Sequence, residues 1–168
     1  ASFWEKYEYV IRHSAGLGKS PKVADPDIYD HRYIHCDVLI IGAGIAGIIA
    51  AKTAAKNNLK TLILDEKAEI GGTTIYQNSN NFKIDNKISS DWLNNEINEL
   101  RKLDNLEIKT RTSVAAYHGY NYLLARENLT DHLSKGQKKD KIRQRLLKIR
   151  AKKVVVATGS LERPLIFD

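Results

Sequence analysis

The sequence predicts an α/β fold in which a parallel sheet with flanking helices is joined to an antiparallel β-meander. Three observations carry this. An apolar run, Asp37–Ile41 (DVLII), passes through a glycine-rich turn, Gly42–Gly47, into an Ala-rich helical stretch. A second β-rich run, Thr61–Leu64, follows, which completes the strand–turn–helix–strand order of a βαβ unit. Residues 112–150 then read as strands with polar breaks, before a last apolar run, Lys153–Ala157, returns to buried-strand character.

Taken in order, residues 1–36 form a lead-in segment. A short helix there ends at Gly16 and Gly18, and an irregular stretch with Pro21 and Pro26 follows. Residues 37–168 form the domain proper. Asp37–Ile41 is short, apolar and β-branched, as expected of a strand buried on both faces. Ile48–Asn57 is helical, with Asn57 and Asn58 as its stop. Gly71 and Gly72 mark a loop. Ser89-Ser90-Asp91 offers an N-cap for a helix to about Leu103, with Trp92, Leu93, Ile97 and Leu100 on one face. Leu106–Lys109 is a further strand, and three short antiparallel strands are expected between Thr112 and Arg150.

Composition narrows the function classes. The chain has 168 residues, 42% hydrophobic and 28% charged, enough for one domain with a core. The longest uncharged run, Val38–Ala51, contains three glycines and is too short to span a bilayer. The N-terminus carries charges throughout and has no secretory signal. A single cysteine, Cys36, excludes an internal disulfide or a CxxC motif and fits a reducing cytoplasm. There is no methionine, so the chain is expected to be a piece of a longer one, truncated at its C-terminus. The net charge of +7 is uneven: residues 135–153 hold ten Lys or Arg and one Asp. There Leu147, Ile149 and Ala151 alternate with Lys148, Arg150 and Lys152, which reads as a half-buried strand with a basic outer face. No aromatic residue interleaves with those charges, so nucleic-acid binding is disfavoured and a docking surface for another protein chain is the better functional reading.

GAGIAG, Gly42 to Gly47, fits G-x-G-x-x-G in its full context: after a strand, opening a helix, and followed by an acid. In a Rossmann-like domain Gly42 permits the tight turn, Gly44 lets a pyrophosphate approach the backbone, and Gly47 lets the helix pack closely. The amides of Ile45, Ala46 and Gly47 are helix-start donors that can face the anion. Asp65, 18 residues after Gly47, can accept the hydroxyls of an adenosine ribose. With Glu66 it would repel a 2′-phosphate, so the expected ligand is NAD or FAD rather than NADP. His13, His31, His35, His118 and His132 are scattered, and no metal site or catalytic group is expected from them.

An acid, then Gly71-Gly72-Thr73, then a helical and meander stretch, then Ala157-Thr158-Gly159, resembles the two-dinucleotide, glutathione-reductase-like flavoproteins from Cys36 onward. That resemblance adds Gly72, Thr73, Ala157, Thr158 and Gly159 to the candidate cofactor site, and places the adenine near Val114. More narrowly, IRHSAGLGKSP, CDVLIIGAGIAG, DEKAEIGG, TSVAAYHGYNYLLARENLTDHL and RQRLLKIRAKKVVVATGSLERPLIF are similar to the alpha subunit of heterotetrameric sarcosine oxidase. That family usually has Pro where this chain has Ile45, a conservative change for the turn. The resemblance implies a dinucleotide domain holding NAD, in a complex that demethylates sarcosine oxidatively to glycine. It further implies FAD and FMN elsewhere in the complex, a folate-binding domain further along the alpha chain, an amine substrate, and beta, gamma and delta subunits as partners. The residues themselves leave other readings open. One is an FAD-binding part of another amine or amino-acid flavoprotein. Another is a non-redox scaffold ordered by a nucleotide, with the basic strand docking a partner.

Overall fold

The computed structural model describes residues 3–18, 23–76, 82–138 and 140–160. Helix α1 (Trp4–Ser14) precedes a long strand, β1 (Ile28–Ile41). Helix α2 (Ile45–Lys56) and strand β2 (Thr61–Leu64) complete the βαβ unit. A 3-10 turn over Gly72–Tyr76 leads to a small hairpin, β3 (Lys83–Ile84) and β4 (Lys87–Ile88), and to helix α3 (Ser89–Leu100). Strands β5 (Leu106–Lys109), β6 (Thr112–His118), β7 (Tyr122–Asn128) and β8 (Ile142–Val156) follow.

Six strands form one sheet in the order β5-β2-β1-β8-β7-β6. β5, β2, β1 and β8 run parallel, while β8-β7 and β7-β6 are antiparallel. One face carries α2 and α3, whose Ile48, Ala51, Trp92, Leu93 and Leu100 pack on Val38, Ile40 and Ile63. On the other face Leu39, Leu62 and Leu64 meet Leu123, Ala125, Leu147 and Ile149. The meander therefore supplies the second cover that a parallel sheet needs.

Several expectations are corrected. The third meander strand and the returning strand are one continuous element, β8, which pairs antiparallel with β7 and parallel with β1. The basic residues do not interrupt it because Lys148, Arg150 and Lys152 leave on the outer side while Leu147, Ile149 and Ala151 stay buried, and Arg145 on the inner side is paired with Asp30 and Glu127. β1 begins at Ile28 rather than Asp37, because β8 offers a partner along nearly all of that length. α2 starts at Ile45, three residues early, since the second half of the glycine turn is its first helical turn. α3 carries no side-chain cap bond: Ser89 is its first residue, is buried, and follows Ile88 as N-cap.

Candidate functional site

The βαβ crossover brings its loops together at the C-terminal end of β1, where ligands gather in open α/β sheets. Gly42 has φ +100, and a Cβ there would overlap the Ala157 carbonyl. Ala157 is held beside it, its N–H donating to the Ile41 carbonyl at 2.8 Å. A Cβ on Gly47 would overlap the Gly42 carbonyl oxygen, so α2 leaves the loop at a distance only glycine allows. Gly71 (φ +133) donates its N–H to the Ala43 carbonyl at 2.8 Å. Gly72 (φ +61) lies so close that a Cβ would stand 2.9 Å from the Gly44 Cα.

Gly44 differs. Its φ of −74° and ψ of −174° suit any residue. A Cβ there would meet nothing nearer than the Gly72 Cα at 3.9 Å. The chain itself therefore does not require glycine at this position. Gly44 is the N-cap of α2 and makes no side-chain cap bond; the first helical bond is from the Ile48 N–H to the Gly44 carbonyl at 2.9 Å. The amides of Ile45, Ala46 and Gly47 precede that bond and have the character of an anion site.

Asp65 lies at the end of β2 and is buried. Its Oδ2 accepts the Ala43 N–H at 2.7 Å and its Oδ1 the Lys67 N–H at 2.8 Å. The carboxylate thus reaches the glycine loop and holds its backbone, while a carboxylate's further lone pairs remain for other donors. Glu66, next along the chain, is exposed. Lys67 places its Nζ 5.0 Å from the centre of the Tyr76 ring. The entry to the meander lies alongside: Thr112 donates to the Asp65 carbonyl at 2.7 Å and Arg111 to the Lys67 carbonyl at 2.8 Å. Val114, two residues on, is half-buried against the second core cluster. Thr73, Thr158 and Gly159 are exposed beside these loops. Sequence reasoning missed the parts taken by Ala43, Gly71, Arg111 and Thr112, all of which act through backbone groups that no side-chain pattern reveals.

A cavity of about 800 Å³ lies away from the glycine loop. It runs between α3, β5 and the loop from Ala68 to Ile75, with Leu93, Ile97, Leu100 and Ile108 in its wall. The glycine loop, not this cavity, presents the helix-start amides that a polyphosphate needs. Among the described residues no three His, Cys, Asp or Glu side chains gather as a metal site. Burial pushes the Cys36 thiol up to about 11, which removes it as a nucleophile. No helix is long and apolar enough to cross a membrane among the described residues.

Fold and loop together define a class: a dinucleotide-fold domain of oxidoreductase type. The chain belongs to the pyridine nucleotide-disulphide oxidoreductase family, whose model matches residues 36–168. It is similar to the sarcosine oxidase subunit alpha of Rhizobium meliloti (strain 1021), with 38% identity over 99% of this chain and 17% of that protein. The subunit alpha of Corynebacterium sp. (strain U-96) is 36% identical over 92% of this chain and 16% of its own length. The chain thus spans about a sixth of the curated relatives it matches. Among solved structures, L-proline dehydrogenase from P. horikoshii superposes with a TM-score of 0.61 and 25% identity, covering 89% of this chain and 27% of that one.

Proposed function

We propose that this chain is the dinucleotide-holding part of a sarcosine oxidase-type oxidoreductase, and that NAD is its ligand, with FAD as the alternative dinucleotide. Gly44 carries the reading. The glycines around it answer to left-handed backbone or to close approach of their own chain, whereas a Cβ on Gly44 would meet only the Gly72 Cα, at 3.9 Å, which leaves space above a helix start. A diphosphate fits that space, because free amides and the positive helix end favour an anion there. The amides of Ile45, Ala46 and Gly47 would hold the pyrophosphate. Asp65 would orient the adenosine ribose from beneath the loop, with Glu66 excluding a 2′-phosphate. Backbone groups near Val114 would border the adenine, and Ala157, Thr158, Gly159, Gly72 and Thr73 would wall the diphosphate. When bound, the dinucleotide supplies two-electron redox chemistry; this chain's residues bind and orient it.

The similarity to sarcosine oxidase alpha subunits supports an amine such as sarcosine as the substrate of the complete enzyme, and further subunits as partners. It also supports residues 37–168 as one nucleotide-binding unit, and a reducing cytoplasm suits the lone thiol. The test is calorimetric titration of the purified full-length protein with NAD, NADP and FAD, beside its visible spectrum. The reading expects NAD to bind at least tenfold more tightly than NADP. A flavin band, with FAD retained at this loop, would select the alternative. Binding of none of the three, or NADP above NAD, would overturn it.

A further inference from the structure

The outer face of the β1-β8-β7-β6 ladder forms three cross-strand rows. Register places His35, Arg150, Tyr122 and His118 in one row. Tyr33, Lys148, Leu124 and Ala116 form the next. His31, Leu146, Arg126 and Ser113 form the last. These rows contain no carboxylate, and Tyr33 (66% exposed) and Leu146 (40% exposed) stand open beside Lys148. On the inner side the same strand is neutralised. Arg145 binds Asp30 at 2.8 Å and Glu127 at 3.1 Å, and Arg143 binds Asp131 at 2.7 Å. Among the described residues Lys148, Arg150 and Arg126 make no salt bridge to a carboxylate.

The outward cations are nevertheless fixed. Lys148 Nζ lies 4.8 Å from the Tyr33 ring centre and 3.2 Å from its hydroxyl. Arg150 stacks 5.0 Å from the Tyr122 ring centre and donates to the Tyr120 carbonyl at 3.1 Å. The β6-β7 hairpin tip is tied down as well: the Asn121 side-chain amide donates to the Lys152 carbonyl at 3.0 Å, leaving Tyr120 94% exposed. Positioned cations beside open aromatic and aliphatic side chains lose little freedom on association, and Tyr and Arg are typical interface anchors.

We infer that this ladder face docks the acidic surface of another protein subunit, with Lys148 and Arg150 each taking a carboxylate. Charge complementarity selects that occupant over an apolar one: the rows offer cations and no acid. A nucleic acid is less suited, because the cations lie against the Tyr33 and Tyr122 rings where a base would stack. The proposal rests on the multi-subunit reading above, but not on which nucleotide is held.

The experiment uses the full-length chain co-purified with its cognate subunits. Carbodiimide cross-linking, which joins a lysine directly to a carboxylate, is followed by mass spectrometry. Lys148 is expected to link to an Asp or Glu of a different chain. Charge reversal at both Lys148→Glu and Arg150→Glu is expected to weaken subunit association about a hundredfold or more, with the melting temperature and nucleotide affinity unchanged. The milder Lys148→Gln provides the same readout should the double variant fail to fold. Links only within the chain, or association unchanged in the Gln variant, would overturn the proposal. So would a single-stranded RNA oligonucleotide that binds this face and is lost in the variant. Failure of the nucleotide reading shows instead as absent dinucleotide binding with the Lys148 cross-link intact.

Discussion

The two ends of β1 are specified by opposite means. At its C-terminal end, Gly42, Gly47, Gly71 and Gly72 let backbone meet backbone, and Asp65 binds a main-chain amide of the loop. Toward its N-terminal half large side chains decide: Arg145 binds Asp30 and Glu127 in a partly buried charge network, and Tyr33 and Tyr122 carry cations. The first region leaves the helix-start amides of Ile45, Ala46 and Gly47 ahead of the first helical bond, without a side-chain cap. The second pairs its inner-side cations with carboxylates and leaves Lys148, Arg150 and Arg126 on its outer face without one among the described residues.

Substitutions sharpen that contrast. The largest effect is expected where space is absent: Gly47→Ala forces the helix start off the Gly42 carbonyl and should cost about 3 kcal/mol, read from urea unfolding. A cost under about 0.5 kcal/mol would mean that the close approach is not needed. Next, Arg145→Ala leaves Glu127 buried with Lys109 as its remaining cation at 3.1 Å. The expected loss is about 2–3 kcal/mol, again from urea midpoints, and Glu127→Gln in the same background should recover part of it. Asp65→Ala comes after: two charge-assisted bonds to loop amides disappear, for a loss of about 1.5–3 kcal/mol. That variant should also bind NAD more weakly, whereas Arg145→Ala should leave NAD affinity alone, which separates the two ends.

The smallest effect is a pH dependence. Burial first, with Asp37 nearby, raises the Cys36 thiol from 9.0 to about 11. Folding therefore favours the neutral thiol. Its contribution is intact below pH 9 and declines as pH climbs from 9 toward 11. A Cys36→Ala variant should lose that alkaline decline in thermal melts, and native Cys36 should react slowly with a thiol reagent at pH 8. Rapid native labelling would contradict the buried assignment.

Much of this was legible in the sequence, for identifiable reasons. Asp37–Ile41 and Thr61–Leu64 declared themselves because a strand buried on both faces has no polar alternation to confuse it. The glycine loop was legible because its order and its downstream acid are set by close contacts. The basic outer face of Lys148, Arg150 and Lys152 was also readable from alternation alone. The continuity of β8 was not: it keeps β1 as a partner throughout and loses β7 past Arg150, which leaves no mark in a sequence. The β3-β4 hairpin was missed although Asp85 (φ +49) and Asn86 (φ +62) are the residue types that tolerate left-handed backbone. The aromatic partners of the basic strand were hidden because Tyr33 and Tyr122 come from other strands. The contact of Asp65 with Ala43 was illegible, since it ends on a backbone amide.

The central claim is that Gly44 is glycine for a ligand and not for the fold. Calorimetric binding of NAD to Gly44→Val, paired with its thermal melt, tests it most directly. The account predicts a protein that still folds, its melt lowered only by the poorer N-cap, because a Cβ meets nothing nearer than 3.9 Å, and affinity lowered about a hundredfold or more, equivalent to at least ~2.7 kcal/mol. Undiminished NAD affinity in a folded Gly44→Val protein would contradict it.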